Sequence, residues 1–325
     1  MAARTAAAVL DDTALTALRR VTDLADGVLD DFTTPAAHAV LRDVELLVTG
    51  WGCPPLDTAV LARAPRLRAV VHTAGTVRGH VTEACWERGI AVTSAAAANA
   101  VPVAEYTLAM ILLSGKRVWE RARDHRIGRC ADDGLSVPPH LGNYGRTVGI
   151  LSASMIGRRV IGLLRPHDFH VLVHDPHLTV AEAAELGAEP VSLAALFARA
   201  DVVSVHTPLL PETRGLVGRE LIAAMRPDAV LINTARGAVL DQDALAEATG
   251  ARRIRAILDV TDPEVLRPDH PLWTDDNVLI TPHLAGSQGN ELRRLADLAV
   301  AEVARWAAGQ PFAHPVRREC LGMIA

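Results

Sequence analysis

Three stretches in the second half of the chain carry polar residues directly after apolar runs, and their residue types suit anion binding and proton transfer. In Ile232-Asn233-Thr234-Ala235-Arg236-Gly237 an arginine stands before a glycine at the end of an apolar run. Its planar guanidinium matches a carboxylate through two parallel hydrogen bonds. In Leu258-Asp259-Val260-Thr261-Asp262-Pro263-Glu264 three acids fall within six residues. Thr281-Pro282-His283-Leu284-Ala285-Gly286-Ser287 places a histidine behind a proline, with small residues beyond. A carboxylate beside an imidazole raises its pKa and fixes its tautomer, and such a pair does acid–base work near neutral pH. Taken singly, each stretch also reads more plainly: a surface arginine at a turn, a solvated Asp-Pro turn, a structural histidine.

A fourth stretch could hold a nucleotide. Val148-Gly149-Ile150-Leu151 is an apolar strand that runs into Ser152-Ala153-Ser154-Met155-Ile156-Gly157 and then a helical stretch. This is where a dinucleotide-binding GxGxxG turn would stand, yet it reads SxSxxG. Gly157 keeps the third position, which permits close helix–strand packing. Ser152 replaces the tight-turn glycine, and Ser154 the one that lets backbone approach a pyrophosphate. A helix N-terminus still offers free N–H groups to an anion, and a serine hydroxyl can donate to a phosphate oxygen. Asp175 ends the next strand, 18 residues after Gly157. An acid there accepts hydrogen bonds from the ribose hydroxyls of NAD and repels the 2′-phosphate of NADP. Followed by Pro176, the same acid also reads as a helix start. The turn alone is a weak signal, and Asp175 tips it toward NAD.

The elements that must position these residues alternate. Early strands are expected at 45–49, Ala69–His72 and 90–93, with helices at 56–64 and 81–88 and a helix-ending glycine at Gly89. Pro102 is expected to open a long helix to about Arg123, since proline at a first helical position lacks only a donor that is unpaired there anyway. Its 108–113 stretch is apolar on more than one face, as a buried or subunit-facing helix would be. The Gly/Pro-rich segment 128–145 reads as a loop between domains. A second series of strands is expected at 148–151, His170–His174, 202–206, 229–233, 256–259 and 278–281, which with helices between them make a doubly wound parallel sheet. A last helix is expected over 288–308, returning to the first domain.

Composition sets bounds. Half of the 325 residues are hydrophobic, enough to bury cores, and only 3% are aromatic, so those cores are built from Ala, Val and Leu. A net charge of −5 points to neither a nucleic-acid nor a membrane-surface partner. Lys116 is the only lysine, which rules out lysine chemistry elsewhere. Cys53, Cys85, Cys130 and Cys320 are scattered without a CxxC pair, as free thiols of a cytoplasmic protein would be, with no metal site. Arg4 and the Ala-rich start resemble a signal peptide, but Asp11 and Asp12 interrupt the apolar stretch. No apolar run is expected to reach membrane-spanning length.

Together these motifs resemble the D-isomer-specific 2-hydroxyacid dehydrogenase family over nearly the whole chain. The likeness includes Ala98-Asn99, Val103-Ala104-Glu105, the run from Asp201 through His206-Thr207-Pro208-Leu209 with Thr213, and the three stretches above. Several motifs in the right order are far more specific than any one. The resemblance implies an α/β fold of two domains, each a doubly wound parallel sheet. A Rossmann-type NAD domain (101–287) is inserted in a flavodoxin-like substrate domain (1–100 plus 288–325). It implies an enzyme that moves a hydride between NAD(H) and C2 of a small 2-keto or D-2-hydroxy acid. Arg236 would hold the substrate carboxylate and polarise the C2 oxygen. His283 would exchange the proton on that oxygen, and Glu264 would pair with His283 and keep it protonated longer. Asp259 would touch the nicotinamide carboxamide. His206, Thr207, Pro208 and Thr213 would line the adenosine and pyrophosphate side. Ser154, Met155, Ile156, Gly157, Asp175, Thr234, Ala235, Ala285 and Gly286 complete the implied cofactor contacts, which Arg236 and His283 share. Ala74, Gly75 and Thr76 would offer backbone N–H groups to the substrate, and Asn99 would lie near both ligands. A homodimer through helix 102–123 is implied as well.

The chain departs from the family pattern at Ser152 and Ser154, which bears on NAD affinity, and at His72-Thr73-Ala74-Gly75-Thr76-Val77, where GxGxD is usual, which bears on substrate identity. The first strand of the N-terminal region is hard to place. Two other readings stand beside the enzyme: an NAD-binding, co-repressor-like dimer without turnover, and a formate- or phosphite-type dehydrogenase. A hydrolase of the adenosylhomocysteine type would need lysine and cysteine chemistry, against which the single lysine argues.

Overall fold

The computed structural model describes residues 1–129, 135 and 137–321. Its strands are β1 (Leu46–Thr49), β2 (Ala69–His72), β3 (Ala91–Ser94), β4 (Thr147–Leu151), β5 (His170–His174), β6 (Glu189–Pro190), β7 (Val202–Val205), β8 (Val230–Asn233), β9 (Arg255–Leu258), β10 (Val278–Ile280) and β11 (Pro315–Val316). They form two sheets, and the chain divides into two compact units, Met1–Ala100 with Ser287–Ala325, and Val101–Gly286.

The second unit holds a seven-stranded sheet ordered β10-β9-β8-β7-β4-β5-β6, parallel throughout. The chain runs outward from β4 to β6, then returns to β7 on the other side of β4. The ends of β4 and β7 therefore diverge, and such a switch point is where open α/β sheets take ligands. Side chains alternate across the sheet. Val148, Ile150, Val202, Ile232 and Ile257 enter one core with Val160, Ile161 and Leu164 of helix Met155–Leu164. Leu151, Val203, Val205, Leu231 and Leu258 enter the other with Leu196 and Leu245. Both faces are covered, which is why these strands read as unbroken apolar runs.

In the first unit β1, β2 and β3 are parallel neighbours in chain order, and β11 adds an antiparallel edge beside β3. Val70 and Val92 face a core with Leu41, Leu61 and Ile90, and Val71 faces helix Leu292–Ala307 through Ala299 and Val303. Glu302 of that helix is 1% exposed, and its carboxylate accepts from Thr93 Oγ1, Ala313 N and His314 N, pinning the returning segment to β3.

Several expectations are corrected. Helix Ala96–Gly115 begins a turn before Pro102, because Ala98 and Asn99 already donate to the Ala95 carbonyl, so Pro102 lies inside the helix. The helix ends before Lys116 and resumes as Val118–Gly128 after Arg117, whose φ is +50°. Asn143 causes the break: its Nδ2 donates to Leu112 O, Gly142 N donates to Gly115 O, and a Cβ on Gly115 would overlap the Asn143 side chain. The Ala96–Gly115 helix is also long and apolar enough to cross a membrane by length and composition alone, contrary to the sequence reading. Ala104 and Ile111 of it are buried in the second unit's core. Part of the expected 128–145 loop, with Cys130, lies outside the described residues; Cys53 and Cys85 are free thiols. Gly89 ends helix Glu83–Glu87 at φ +71°, as expected.

Candidate active site

His283 stands three residues past β10 in a left-handed conformation, φ +51°, held by its N–H donating to Asp259 O and Thr281 O. Its Nδ1 lies 2.6 Å from Glu264 Oε1. A carboxylate only accepts, so Nδ1 carries the proton and Nε2 is the nitrogen open to proton exchange. Both side chains are at least half exposed, so the pair is reachable.

Asp259, one residue past β9, is 1% exposed. Its Oδ1 accepts from Thr281 Oγ1 (2.6 Å) and Leu284 N (2.9 Å), and its Oδ2 from Ala285 N (2.9 Å). These bonds make it a clamp on the loop that carries His283, Ala285 and Gly286. Thr281 Oγ1 meets Tyr106 Oη at 2.8 Å, a partner the sequence reading missed. Burial pushes the Tyr106 phenol above its ordinary pKa.

Arg236 is half-buried at the turn after β8, and its Nη1 donates to Ala235 O. Asn233, fully buried, braces the turn by accepting from Ala235 N and donating to Arg236 O. A Cβ on Gly237 would overlap the Thr261 carbonyl, so glycine there lets the arginine turn press against the acidic segment. Thr234 Oγ1 meets Thr107 Oγ1 at 3.3 Å, and Thr234 and Ala235 are both buried.

At the β4 turn, Ser152 takes φ +76°, the conformation for which glycine is usual. Ser154 is the N-cap of helix Met155–Leu164, its Oγ accepting from Gly157 N at 3.3 Å. A Cβ on Gly157 would overlap the Ser152 carbonyl, so that glycine is obligatory. Asp175 accepts from Ala153 N and His177 N, one bond to each carboxylate oxygen. Beyond β7, Thr207 Oγ1 donates to Ser152 Oγ across the switch point. His206 is buried, with Nε2 3.0 Å from Ser204 Oγ and Nδ1 without a hydrogen-bond partner among the described residues; burial lowers its pKa to about 3, so it is neutral. Thr213 closes the next loop by donating to Pro208 O and accepting from Leu210 N.

In the first unit, Ala74, Gly75 and Thr76 follow β2, and Asn99 Nδ2 lies 3.8 Å from where a Gly75 Cβ would stand. Asn99 Oδ1 accepts from Ser287 N. The two residues singled out as unusual, His72 and Thr73, are buried beneath this turn. His72 Nδ1 and His80 Nε2 share Thr49 Oγ1 at 3.0 and 3.1 Å. Burial, with His80 alongside, lowers His72 to about 3, and burial lowers His80 to about 4.

Residues 108–285 match the family described as D-isomer specific 2-hydroxyacid dehydrogenase, NAD binding domain. The chain belongs to this family. It is similar to a D-3-phosphoglycerate dehydrogenase of Mycobacterium leprae, 35% identical over 79% of this chain and 48% of that one. It also resembles a glyoxylate reductase of Aeropyrum pernix, 34% identical over 81% and 80%. Among solved structures, a D-lactate dehydrogenase from Aquifex aeolicus bound to NAD and lactic acid is 26% identical, with a TM-score of 0.73 over 94% of each chain. The chain spans about half the length of the phosphoglycerate dehydrogenases it matches.

The family's NAD-binding domain is therefore present, and its residues fit the cofactor. The first N–H groups of helix Met155–Leu164 have no intrahelical acceptor and suit a pyrophosphate. Each Asp175 oxygen accepts one backbone N–H and keeps capacity for a ribose hydroxyl. Ser154 alters the cradle by taking the Gly157 N–H for its own hydroxyl.

Proposed function

We propose that this chain is an oxidoreductase that reversibly reduces a small 2-keto acid to the D-2-hydroxy acid with NADH. The observation that carries the reading is the His283–Glu264 pair, a reachable imidazole oriented by a carboxylate 2.6 Å away. When bound, NAD(H) would supply or take up the hydride at C2. Arg236 binds the substrate carboxylate and polarises the C2 oxygen. His283 Nε2 gives its proton to that oxygen during reduction and takes it back during oxidation. Glu264 holds the tautomer that makes this possible. The buried acid Asp259 keeps the His283 loop in place, and Ala74, Gly75, Thr76 and Asn99 take part in holding the acid. Ser154, Met155, Ile156, Gly157 and Asp175 bind the pyrophosphate and ribose; Thr207, Pro208 and Thr213 line the adenosine side. We place a homodimer in the same reading, built through helix Ala96–Gly115 and its successor, where Leu113 and Val118 are exposed.

The test is thermal stabilisation by NADH and by NADPH, followed by turnover with glyoxylate, pyruvate, hydroxypyruvate and 3-phosphohydroxypyruvate. A cofactor that binds the native state raises its melting temperature by mass action. Stabilisation by NADH together with turnover of one of these acids is the expected result. Stabilisation without turnover of any acid, or of formate or phosphite, would replace the enzyme with an NAD-sensing regulator.

A further inference from the structure

We propose that Tyr106 is a positioning residue for His283, acting through the chain Tyr106–Thr281–Asp259. The proposal rests on the reading of His283 as the acid–base residue. The direction of the chain follows from counting protons. Thr281 Oγ1 donates to Asp259 Oδ1 at 2.6 Å. A threonine hydroxyl has one hydrogen, and that bond uses it. The 2.8 Å contact between Tyr106 and Thr281 must therefore be donated by the tyrosine. The result is a one-way series of hydroxyls ending on a carboxylate, in which each bond polarises the next.

That carboxylate also takes the Leu284 and Ala285 N–H groups, and the Asp259 carbonyl takes the N–H of His283. Asp259 thus sets the backbone path of 283–285, and His283 is held at φ +51°, which a non-glycine residue keeps only under constraint. Asp259 is 1% exposed, so water does not substitute for a lost donor. Tyr106 lies on the long helix Ala96–Gly115, a rigid element, which makes it the outer anchor of the chain. Removing its hydroxyl leaves Thr281 free to rotate away from Asp259 and loosens the turn that aims the imidazole. Misplacement of a catalytic group by about 1 Å can cost ~100-fold in rate.

The experiment compares wild type with Tyr106→Phe, Thr281→Val and the double variant. It measures kcat and KM for the 2-keto acid turned over, NADH affinity by fluorescence, and amide hydrogen exchange of a peptide spanning 281–286. Tyr106→Phe is expected to lower kcat about tenfold, with KM and NADH affinity within about twofold. The double variant is expected to be no slower than Thr281→Val alone, because both act on one chain. Exchange in 281–286 is expected to quicken in each variant. Unchanged kcat in Tyr106→Phe, or costs that multiply in the double variant, would overturn the proposal. If wild type turns over none of the acids, the functional reading fails, and the exchange data then decide the clamp alone: equal exchange in wild type and Tyr106→Phe removes it.

Discussion

His283 Nδ1 and Glu264 Oε1, 2.6 Å apart, come from two loops that follow neighbouring parallel strands, β9 and β10. The pairing register of those strands therefore sets the distance between base and carboxylate. His283→Ala is expected to lower kcat by roughly 10²–10⁴-fold, the range for a positioned acid or base. Glu264→Gln keeps the shape but can present an N–H to Nδ1, which favours the wrong tautomer, so a loss of at least about tenfold in kcat is expected. Steady-state kinetics with the acid found above check both, and near-wild-type turnover of the histidine variant would remove the mechanism.

Arg236 makes a different kind of contribution. In the proposed reading its fork would bind the same carboxylate in the ground state and in the transition state, and would also face the oxygen where charge develops. Arg236→Ala is therefore expected to raise KM and lower kcat together. Arg236→Lys keeps the charge and loses the bidentate geometry, so it should recover little. An unchanged KM in both variants would mean the arginine does not hold substrate.

Ser152 and Ser154 can be separated by stability and affinity. Ser152 sits at φ +76°, where a residue with a Cβ is strained by about 1 kcal/mol. Part of that is offset by the greater freedom glycine gives the unfolded chain, so Ser152→Gly is expected to stabilise by at most about 1 kcal/mol. Ser154→Gly removes a cap at a cost of a few tenths of a kcal/mol and frees the Gly157 N–H, so tighter NADH binding is expected. Gly157→Ala should fail to bind NADH, since its methyl would overlap the Ser152 carbonyl. Urea titrations and NADH fluorescence distinguish these outcomes; weaker binding by Ser154→Gly would show that the hydroxyl itself serves the phosphate.

The sheet of the second unit was legible because its central strands are buried on both faces and so appear as apolar runs. What the sequence hid was of two kinds. Strands β6 and β11 are two residues each and leave no periodicity to read. The helix break at Arg117 is imposed by Asn143, and the Tyr106 contact with Thr281 spans 175 positions; neither has a local signal. His283 and Glu264 were legible as types at strand ends, but the clamp on their loop was not, because Asp259 looks the same whether it meets a ligand or its own backbone. His72 was legible only as a departure from the usual GxGxD pattern; its burial against Thr49 and His80, which makes it part of the support beneath the Ala74 turn, left no signal in the sequence.

That support has a pH signature. His72 and His80 in the first unit and His206 in the second are held at about 3, 4 and 3, chiefly by burial. An unfolded histidine titrates near 6.5, roughly the value for a free side chain. Since the folded values are lower, the unfolded chain binds the extra protons. The stability these residues contribute is complete above pH ~6.5 and is lost as pH falls through the window toward 4 and then 3. Near pH 5, unfolding is expected to take up about two to three protons from this source if both units unfold together, while most carboxylates remain ionised. Urea midpoints measured from pH 7.5 to 5 should therefore fall steadily. His80→Asn should flatten the slope by about one proton, because one buried imidazole is gone. A midpoint that does not move between pH 7 and 5 would mean that these histidines are already hydrated or paired with charge in solution, and the buried Thr49–His72–His80 cluster would then be open to solvent beneath the Ala74 turn.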